Sequence, residues 1–337
     1  MRTYAYLIHP LNMHQVKVFW PITRLLPPSF ISSFLKHQTF KLVPIKKICS
    51  LQHKEVEGFA IICPIHPDEI TKQDDEMILE TIISAGLISE KFSLRLLGLA
   101  GYFGVVADRK PMLYRHMKTA ITSGAAFSAW TAYEAAFKAC RKNKLELKQA
   151  VLTVISPANA VGTLCSRKFA ENVGRIILTG ETADKLENVR QYIQSGTLIH
   201  VDIEEDEAKA IGQADIVVNS STTNSDGFDP AWLKPRSIVC DISTFQNLAE
   251  TTAKRLDVTA INCKTVSLPL NSSLGAELDL PQHTICPVLA ETMLLALEEN
   301  FVNFSLGESV NPDKLDYIAN IASRHGFEIS VPGAEIT

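Results

Sequence analysis

The spacing of hydrophobic positions changes near residue 150, and this change predicts two kinds of region. Before it, short apolar strands alternate with long amphipathic helices such as 74–91, where apolar side chains recur every three or four positions from Met77 to Leu87. After it, brief apolar runs alternate with helical patterns, which is typical of a parallel sheet wrapped by helices. The runs of this second region are 151–155, 175–179, 198–202, 215–221, 237–243 and 258–262.

We therefore predict an α/β fold with three parts. Its centre is a Rossmann-like doubly wound parallel sheet domain, preceded by an N-terminal α/β substrate domain that C-terminal helices complete. The two late helical patterns each open with Pro at or near the first turn, as helices often do. The predicted bounds are 1–143 for the substrate domain with its linking helix, 144–285 for the Rossmann-like domain, and 286–337 for the helices that pack on the N-terminal domain.

Composition narrows the class of protein. The 337 residues are 46% hydrophobic and 21% charged, which is the balance of a chain with a full core. The net charge is -4 and the cations are scattered, so no nucleic-acid surface is predicted. Seven cysteines without a C-x-x-C pair indicate no disulfide framework and no metal site, and suit a reducing compartment. With no signal-peptide pattern and no apolar run near the roughly 18 residues of a membrane span, we expect a cytoplasmic protein.

The segment VLTVISPANAVGTL (151–164) runs from a strand through a turn into a helix, where a dinucleotide-binding domain places its phosphate loop. Such a loop needs small residues so that its backbone can approach a pyrophosphate at the helix N-terminus. Ser156, Asn159 and Gly162 stand at the glycine spacings, so two of three glycines are replaced. Two interpretations stay open: an altered site that still binds a dinucleotide, and a site that has lost its cofactor.

The ends of two other strands complete the candidate cofactor site. Thr179 ends the second strand of this region, Glu181 follows it, and Ser220 lies near the end of the fourth. A carboxylate after the second strand pairs with a free ribose 2′-hydroxyl and repels a 2′-phosphate. If NAD(P)H binds, we therefore predict NADH rather than NADPH.

The segment HTICPVLAET (283–292) contains a candidate nucleophile. Pro287 suits the first position of a helix, which predicts Cys286 as the N-cap, with its sulfur near the positive end of the helix dipole. That setting lowers a thiol pKa and favours attack on an acyl group. His283, three residues earlier, is a candidate proton donor. The alternatives are a buried, inert cysteine and a solvated histidine.

Seven segments of the chain carry a resemblance to a known family: YLIHPL (6–11), RLLPP (24–28), EGFAIICPI (57–65), LLGLAGYFGVVAD (96–108), AITSG (120–124), ADIVVNSST (214–222) and 290–327. In sequence and in order they resemble the aldehyde-forming long-chain acyl-acyl-carrier-protein reductases of cyanobacteria and their bacterial relatives. The resemblance implies a cytoplasmic enzyme that reduces a fatty acyl thioester to an aldehyde with NADPH, through a thioester on a cysteine. It also implies acyl carrier protein or acyl-CoA as the partner.

The chain departs from this family at four places. The family loop resembles G-A-T-G-x-I-G, against SPANAVG at 156–162, and the family commonly has Arg where this chain has Glu181. TSGAAFSA (122–129) replaces a polar T-T-G-N stretch. The family cysteine lies two residues before an A-E pair, which is the position of Val288 here, so Cys286 is shifted by two.

The apolar replacements predict a substrate tunnel between the N-terminal domain and the C-terminal helices. We expect Tyr102, Phe103, Gly124 and Phe127 to line it, since the apolar side chains make the site drier and the glycines allow close approach of the backbone to a ligand. The alternatives are turn residues and ordinary core. The aromatic stretch 18–35 favours core as well, with an acyl channel or contact with a membrane surface as its other interpretations.

Three functions follow from these residues. The first is an NAD(P)H-dependent reductase of a fatty acyl thioester that uses Cys286. The second is a catalytically degenerate relative that binds an acyl chain or acyl carrier protein without reducing it and has no cofactor. The third is a dehydrogenase that acts on a different carbonyl and needs no cysteine.

Overall fold

A computed structural model describes residues 3–110, 115–223, 228–245, 248–252, 254–269, 272–274, 278, 283–307 and 311–329. The first part of the chain forms β1 (Tyr4–Ile8), α1 (Met13–Phe19), α2 (Pro28–Leu35), β2 (Lys41–Cys49), β3 (Glu55–Ile62), α3 (Asp75–Lys91), β4 (Leu96–Leu99), α4 (Tyr102–Arg109) and β5 (Ala120–Thr122). The middle forms α5 (Ala125–Asn143), β6 (Val151–Ile155), α6 (Ala160–Phe169), β7 (Arg175–Thr179), α7 (Ala183–Gln194), β8 (His200–Ile203), α8 (Glu207–Gln213), β9 (Ile216–Asn219), β10 (Ile238–Asp241), α9 (Leu248–Thr252), β11 (Thr259–Asn262) and β12 (Val266–Ser267). The last part forms β13 (Thr284–Ile285), α10 (Pro287–Leu297), α11 (Pro312–His325) and β14 (Glu328–Ile329).

The chain divides into two compact units. The first unit contains Met1–Gly124, Leu268–Gly307 and Ile321–Phe327, and the second contains Ala125–Ser267, Glu308–Asn320 and Glu328–Thr337. No helix in the described part of the chain is both long and apolar enough to cross a membrane.

The first unit is built on a five-stranded sheet in the order β2-β3-β1-β4-β5. Strand β1 is parallel to β3 and β4, and each of its residues is buried because strands and helices cover both of its faces. Ala60, Tyr6, Gly98 and Thr122 are neighbours in register across four strands, so their side chains leave the same face of the sheet. Helix α10 packs on these four strands.

Glycine at position 98 allows α10 to lie close to the sheet. A Cβ atom there would overlap Oγ1 of Thr292, which is on α10. Tyr6 and Thr122 are the neighbours of this glycine in the register of the sheet. Their side chains extend towards α10 on either side of Gly98. The same helix therefore meets a side chain on β1 and another on β5.

Gly124 makes a second close approach to α10 and gives a stability prediction. Its φ is +76°, and a Cβ atom would lie 2.5 Å from the Cα of Val288. We expect Gly124→Ala to reduce the free energy of unfolding by about 2 to 4 kcal/mol, since both the left-handed backbone and the overlap oppose a side chain. Urea unfolding of the full chain measures this loss.

Gly212→Ala is the matched control. Gly212 lies within α8, and the nearest atom to its Cβ would be the carbonyl oxygen of Trp232 at 3.6 Å. Alanine has the higher helix propensity, so this variant should gain up to about 1 kcal/mol. A Gly124→Ala protein with the wild-type midpoint would contradict the argument.

The second unit contains a six-stranded parallel sheet in the order β11-β10-β9-β6-β7-β8. With β6 counted as its first strand, this is the doubly wound order of a Rossmann-like domain, and the order reverses between β6 and β9. The prediction of an α/β fold with such a sheet is confirmed. Its six strands coincide within a few residues with the six apolar runs of the sequence. Apolar side chains on one side of the sheet form a buried cluster of Ile155, Ile211, Ala214, Val217, Leu233, Val239 and Leu248.

The observed division differs from the predicted one at the linking helix. Helix α5 groups with the second unit, where Tyr133 meets the ring of Phe169 at 5.0 Å and Thr131 Oγ1 donates to the carbonyl oxygen of Cys263 at 3.1 Å. Periodicity alone does not reveal which neighbour a helix packs against. Helix α10 groups with the first unit, and the residues of α11 are divided between the two.

Candidate functional site

Cys286 is the N-cap of α10, as Pro287 predicts. Its backbone is extended, with φ −71° and ψ 152°, and Pro287 is the first helical residue. The side chain is half-buried. The thiol therefore lies at the positive end of a helix that is buried along most of its length.

The hydroxyl oxygen of Tyr6 lies 2.9 Å from Sγ of Cys286. Tyr6 is the central residue of β1 and is 3% exposed. Sequence reasoning missed this residue, because the pairing of β1 and the position of α10 on it are not visible in an apolar run. The structure thus adds a phenol to the candidate nucleophile.

The helix terminus lowers the thiol pKa as predicted, but the net pKa is raised, contrary to the prediction. Burial raises the pKa of Cys286 above its ordinary value, and the hydrogen bonds from Tyr6 and from the backbone of Val288 and Leu289 only partly oppose this effect. Burial, together with the nearby Cys286 sulfur, also raises the pKa of Tyr6 well above its ordinary value. Tyr6 therefore keeps its proton at neutral pH, so its hydroxyl is able to donate to the sulfur.

His283 does not point towards this pair. Its side chain is exposed, and Nδ1 lies 3.2 Å from the carbonyl oxygen of Ser272. The short strand β13 separates it from Cys286, and residues an odd number apart along an extended backbone point to opposite sides. The geometry does not support the predicted role of His283 as proton donor.

A narrow apolar cleft in the first unit shares Tyr6 with the thiol. Its volume is about 10 Å³, room for about one water molecule. His9 lies in its wall, with Nδ1 2.7 Å from the carbonyl oxygen of Pro10, and burial lowers the pKa of this imidazole, so the ring is neutral near pH 7. The lining residues are Tyr6, Ile8, His9, Gln15, Phe19, Ala60, Ile62 and Leu278.

The predicted tunnel is wrong at two of its aromatic residues. Phe103 in the first unit and Phe127 in the second expose no surface, so neither lines a space that water can enter. The ring of Phe127 stacks on Trp130 at 5.3 Å, and that of Phe103 meets His9 at 6.3 Å. Both are core side chains in this structure. Tyr102 is half-buried at the start of α4, and its contact with substrate stays a prediction, as does that of Gly124.

A fully buried and a half-buried carboxyl group, Glu291 and Asp108, lie in the first unit. Glu291 on α10 is fully buried and accepts a hydrogen bond from Oγ1 of Thr122. Burial raises the pKa of Asp108 to about 7, and the charge of Glu291 adds to this shift. Hydrogen bonds from the Gly307 N–H, at 3.3 Å, and from Ser123 oppose it. The buried carboxylate of the A-E pair thus has a hydroxyl partner on β5.

In the second unit, the loop after β6 adopts the bend of a phosphate loop without its glycines. Ser156 has a left-handed backbone, with φ 53°, at the position of the first glycine. Its N–H donates to the carbonyl oxygen of Thr179 at 2.9 Å, and its Oγ to that of Gly180 at 3.1 Å. These two bonds hold the strained residue against the end of β7.

The side chain of Asn159 fills much of the space above this bend. As N-cap of α6, its Oδ1 accepts from the Gly162 N–H at 3.0 Å. Its Nδ2 donates to the carbonyl oxygens of Ser156 and Ser220, at 2.8 and 2.9 Å. The Ser220 hydroxyl donates to the carbonyl oxygens of Ile155 and Ser156, both at 2.9 Å. Hydrogen bonds thus bridge β6 and β9, where the strand order reverses.

Other features of this edge fit a dinucleotide. A Cβ at Gly162 would overlap Oγ of Ser220 and lie 2.8 Å from the Cα of Pro157, so this glycine serves close packing of helix on sheet, as the third glycine of the fingerprint does. Oγ1 of Thr179 is buried and has no hydrogen-bond partner among the residues that the structure describes. Glu181 follows β7 and pairs with Lys185 at 3.0 Å. The residues present thus fit a bound nucleotide at the helix N-terminus and the ribose, with two side chains filling space that glycines leave open.

No protein-family model matches the chain. It is 21% identical over 298 residues to the long-chain acyl-acyl-carrier-protein reductase of Synechococcus elongatus, which covers 83% of this chain and 85% of that protein. It is 23% identical over 285 residues to the aminotransferase PigE of a Serratia species, over 83% of this chain; the chain spans about a third (33%) of the length of that protein.

Solved structures with a similar backbone path include one dehydrogenase and one reductase. L-tryptophan dehydrogenase from Nostoc punctiforme is 10% identical with a TM-score of 0.43, over 96% of this chain and 80% of that one. The 5-ketofructose reductase of a Gluconobacter strain is 10% identical with a TM-score of 0.43, over 94% of this chain and 99% of that one. Likenesses of this size carry no argument about activity.

Proposed function

We propose that the chain is a reductase of acyl thioesters in which Cys286 accepts the acyl group. The observation that carries this proposal is the half-buried thiol at the N-terminus of α10, 2.9 Å from the Tyr6 hydroxyl. The apolar lining of the cleft that shares Tyr6 matches the hydrocarbon part of an acyl chain, and the cleft must widen to admit it. The similarity to a reductase over 83% of the chain supports the same class of reaction.

The first step needs only residues of the first unit. The Cys286 thiolate attacks the carbonyl carbon of an acyl group held by acyl carrier protein or coenzyme A. A new C–S bond forms to Sγ, and the bond from the carbonyl carbon to the carrier sulfur breaks. The carrier leaves as a thiolate and takes up one proton. This proton balances the one that Cys286 lost when it became a thiolate. The products are the acyl-cysteine and the free carrier thiol.

The second unit supplies the residues that would hold NAD(P)H. The N-terminus of α6, with Ser156, Asn159 and Gly162, suits the pyrophosphate, and Glu181 suits the ribose. We assign Thr179 and Ser220 to the same site, since both lie at the carboxyl edge of the sheet. When bound, the nicotinamide would supply the hydride that reduces the acyl group to the aldehyde.

We expect weak nicotinamide binding with NADH preferred over NADPH. The Glu181 carboxylate repels a 2′-phosphate, and Glu181→Gln should reduce the preference for NADH roughly tenfold. Calorimetric titration with both dinucleotides measures the two affinities. Glu187→Gln is the matched control, because Glu187 lies on α7 and pairs with Arg190 at 2.7 Å. Tighter binding of NADPH by the wild-type protein would contradict the role of Glu181.

Intact-protein mass spectrometry with a palmitoyl thioester tests the proposed reaction. We expect the mass of the protein to rise by one palmitoyl group, and this adduct to disappear on addition of NADH with release of the aldehyde. A protein that binds the palmitoyl chain but is never acylated would reject the covalent mechanism.

A second function is favoured by the phosphate loop. The Asn159 amide occupies the Gly162 N–H and, with Ser220, bridges the two strands between which a dinucleotide would enter. Such a protein would bind an acyl chain or an acyl carrier protein without reducing it. In the experiment above, an adduct that persists with NADH, together with no calorimetric binding of either dinucleotide, would favour this function.

A further inference from the structure

We propose that Tyr6 is a catalytic residue that activates Cys286, with its hydroxyl donating a hydrogen bond to the thiolate sulfur. This inference rests on the proposed function, because it names the group that makes the sulfur a nucleophile. Within the described part of the chain, Tyr6 provides the one side-chain hydrogen bond recorded at this sulfur.

The register of the sheet explains why a phenol reaches the thiol at this point. The partners of Tyr6 on the neighbouring strands are Ala60 and Gly98. Alanine has only a methyl group as its side chain, and glycine has no side chain. The ring therefore has room on the face of the sheet beneath α10, and its hydroxyl ends at the N-terminus of that helix. A larger residue at either neighbour would compete for this space.

The burial of the pair determines which atom carries the charge. A thiolate at a site removed from water needs donors, and the helix supplies backbone N–H groups of Val288 and Leu289. The phenol supplies a further donor and keeps its own proton, because burial disfavours the phenolate. Tyr6 therefore acts as a hydrogen-bond donor, not as a base, and it is neutral before and after the sulfur attacks.

The apolar cleft reaches the pair at Tyr6. This residue is at once a wall of the cleft and the partner of the sulfur. A substrate that entered and widened the cleft would contact the phenol ring, and the hydroxyl of the same ring lies 2.9 Å from Sγ.

The test is the pH dependence of Cys286 alkylation by iodoacetamide, followed by peptide mass spectrometry on the full chain. Alkylation reports the thiolate without any acyl substrate or cofactor. We expect Tyr6→Phe to slow alkylation of Cys286 about 10- to 100-fold at pH 7, since a hydrogen bond to a charged group is lost. We also expect its alkylation profile to move to higher pH.

Tyr4→Phe is the matched control. Tyr4 is a fully buried residue of the same strand, two positions away, and its hydroxyl has no hydrogen-bond partner in the described part of the chain. This variant should alkylate Cys286 with the wild-type profile, while the exposed thiol of Cys49 serves as an internal reference in every protein. Thermal unfolding of each variant identifies any loss of fold.

Two results would overturn the proposal. One is a folded Tyr6→Phe protein with the wild-type rate and profile at Cys286. The other is a wild-type Cys286 that iodoacetamide does not modify at any pH while Cys49 reacts. A shifted profile in a protein that no acyl thioester modifies would instead reject the proposed function and leave the effect of Tyr6 on the thiol supported.

Discussion

Covalent acylation of the protein is expected to disappear when Cys286 is replaced by alanine. The sulfur is the atom that forms the new bond, so its removal should lower the rate of acylation by a factor on the order of 10³ or more. The alanine side chain is smaller than that of cysteine and therefore fits at this N-cap. The variant should therefore fold and still bind an acyl chain. Mass spectrometry after incubation with a palmitoyl thioester measures the loss.

Cys49→Ala is the control for this experiment. Cys49 lies on β2 and is exposed, so it is the thiol that a thioester would acylate without any site. Its removal should leave the adduct unchanged. If Cys286→Ala carried as much adduct as the wild-type protein, and Cys49→Ala carried none, the acyl group would be a surface modification.

A strong pH dependence of stability is expected from Asp108. Its pKa is about 7 in the folded protein, against 3.8 for an ordinary Asp, so the folded state binds this proton more tightly than the unfolded state. The stability that the neutral carboxyl contributes is complete below about pH 4 and is lost as the pH rises towards 7. Asp108→Asn keeps a neutral group and an oxygen acceptor at all pH values. Its stability relative to wild type should therefore increase by about 3 kcal/mol between pH 5 and pH 8.

Urea unfolding at the two pH values measures this difference. Asp184→Asn, at an exposed position in the first turn of α7, should differ from wild type by the same amount at both. A difference between Asp108→Asn and wild type that does not change with pH would show that the carboxyl is ionised in the folded protein throughout this range.

The sheet of the second unit could be predicted because its strands are apolar on both faces. Residues 151–155 and 175–179 are β6 and β7 without any shift of their ends. Helix α3 also matches the predicted segment 74–91, with Asp74 as its N-cap. Its buried side chains include Ile78 and Ile82, yet Met77 is 46% exposed and Leu87 53%. A periodic pattern indicates a helix, but which side faces the core depends on the neighbours that the fold brings to it.

The sequence predicts only those parts of the candidate site that depend on a residue and its immediate neighbours in the chain. Proline at 287 predicts the N-cap at Cys286, and the spacing of SPANAVG predicts the bend at Ser156. Tyr6 is 280 residues away from Cys286 along the chain, and no local pattern joins them. The direction of the thiol pKa was predicted wrongly for the same reason, because the burial that raises it comes from distant strands. The apolar side chains at 103 and 127 are as typical of a tunnel wall as of a solid core, so the sequence does not distinguish the two.

Helix α10 comes late in the chain, although the sheet it covers comes early. The fifth strand of that sheet ends at Thr122, whereas the helix begins at Pro287, after all six strands of the second sheet. On a ribosome adding about 5 to 20 residues per second, the face with Ala60, Tyr6 and Thr122 stays uncovered for on the order of 10 seconds. During that time this face of the nascent chain is exposed to water. An exposed apolar surface of this kind binds chaperones and promotes aggregation. The six strands of the second sheet follow one another along the chain without such an interval. The second sheet can therefore form while the first sheet still lacks α10.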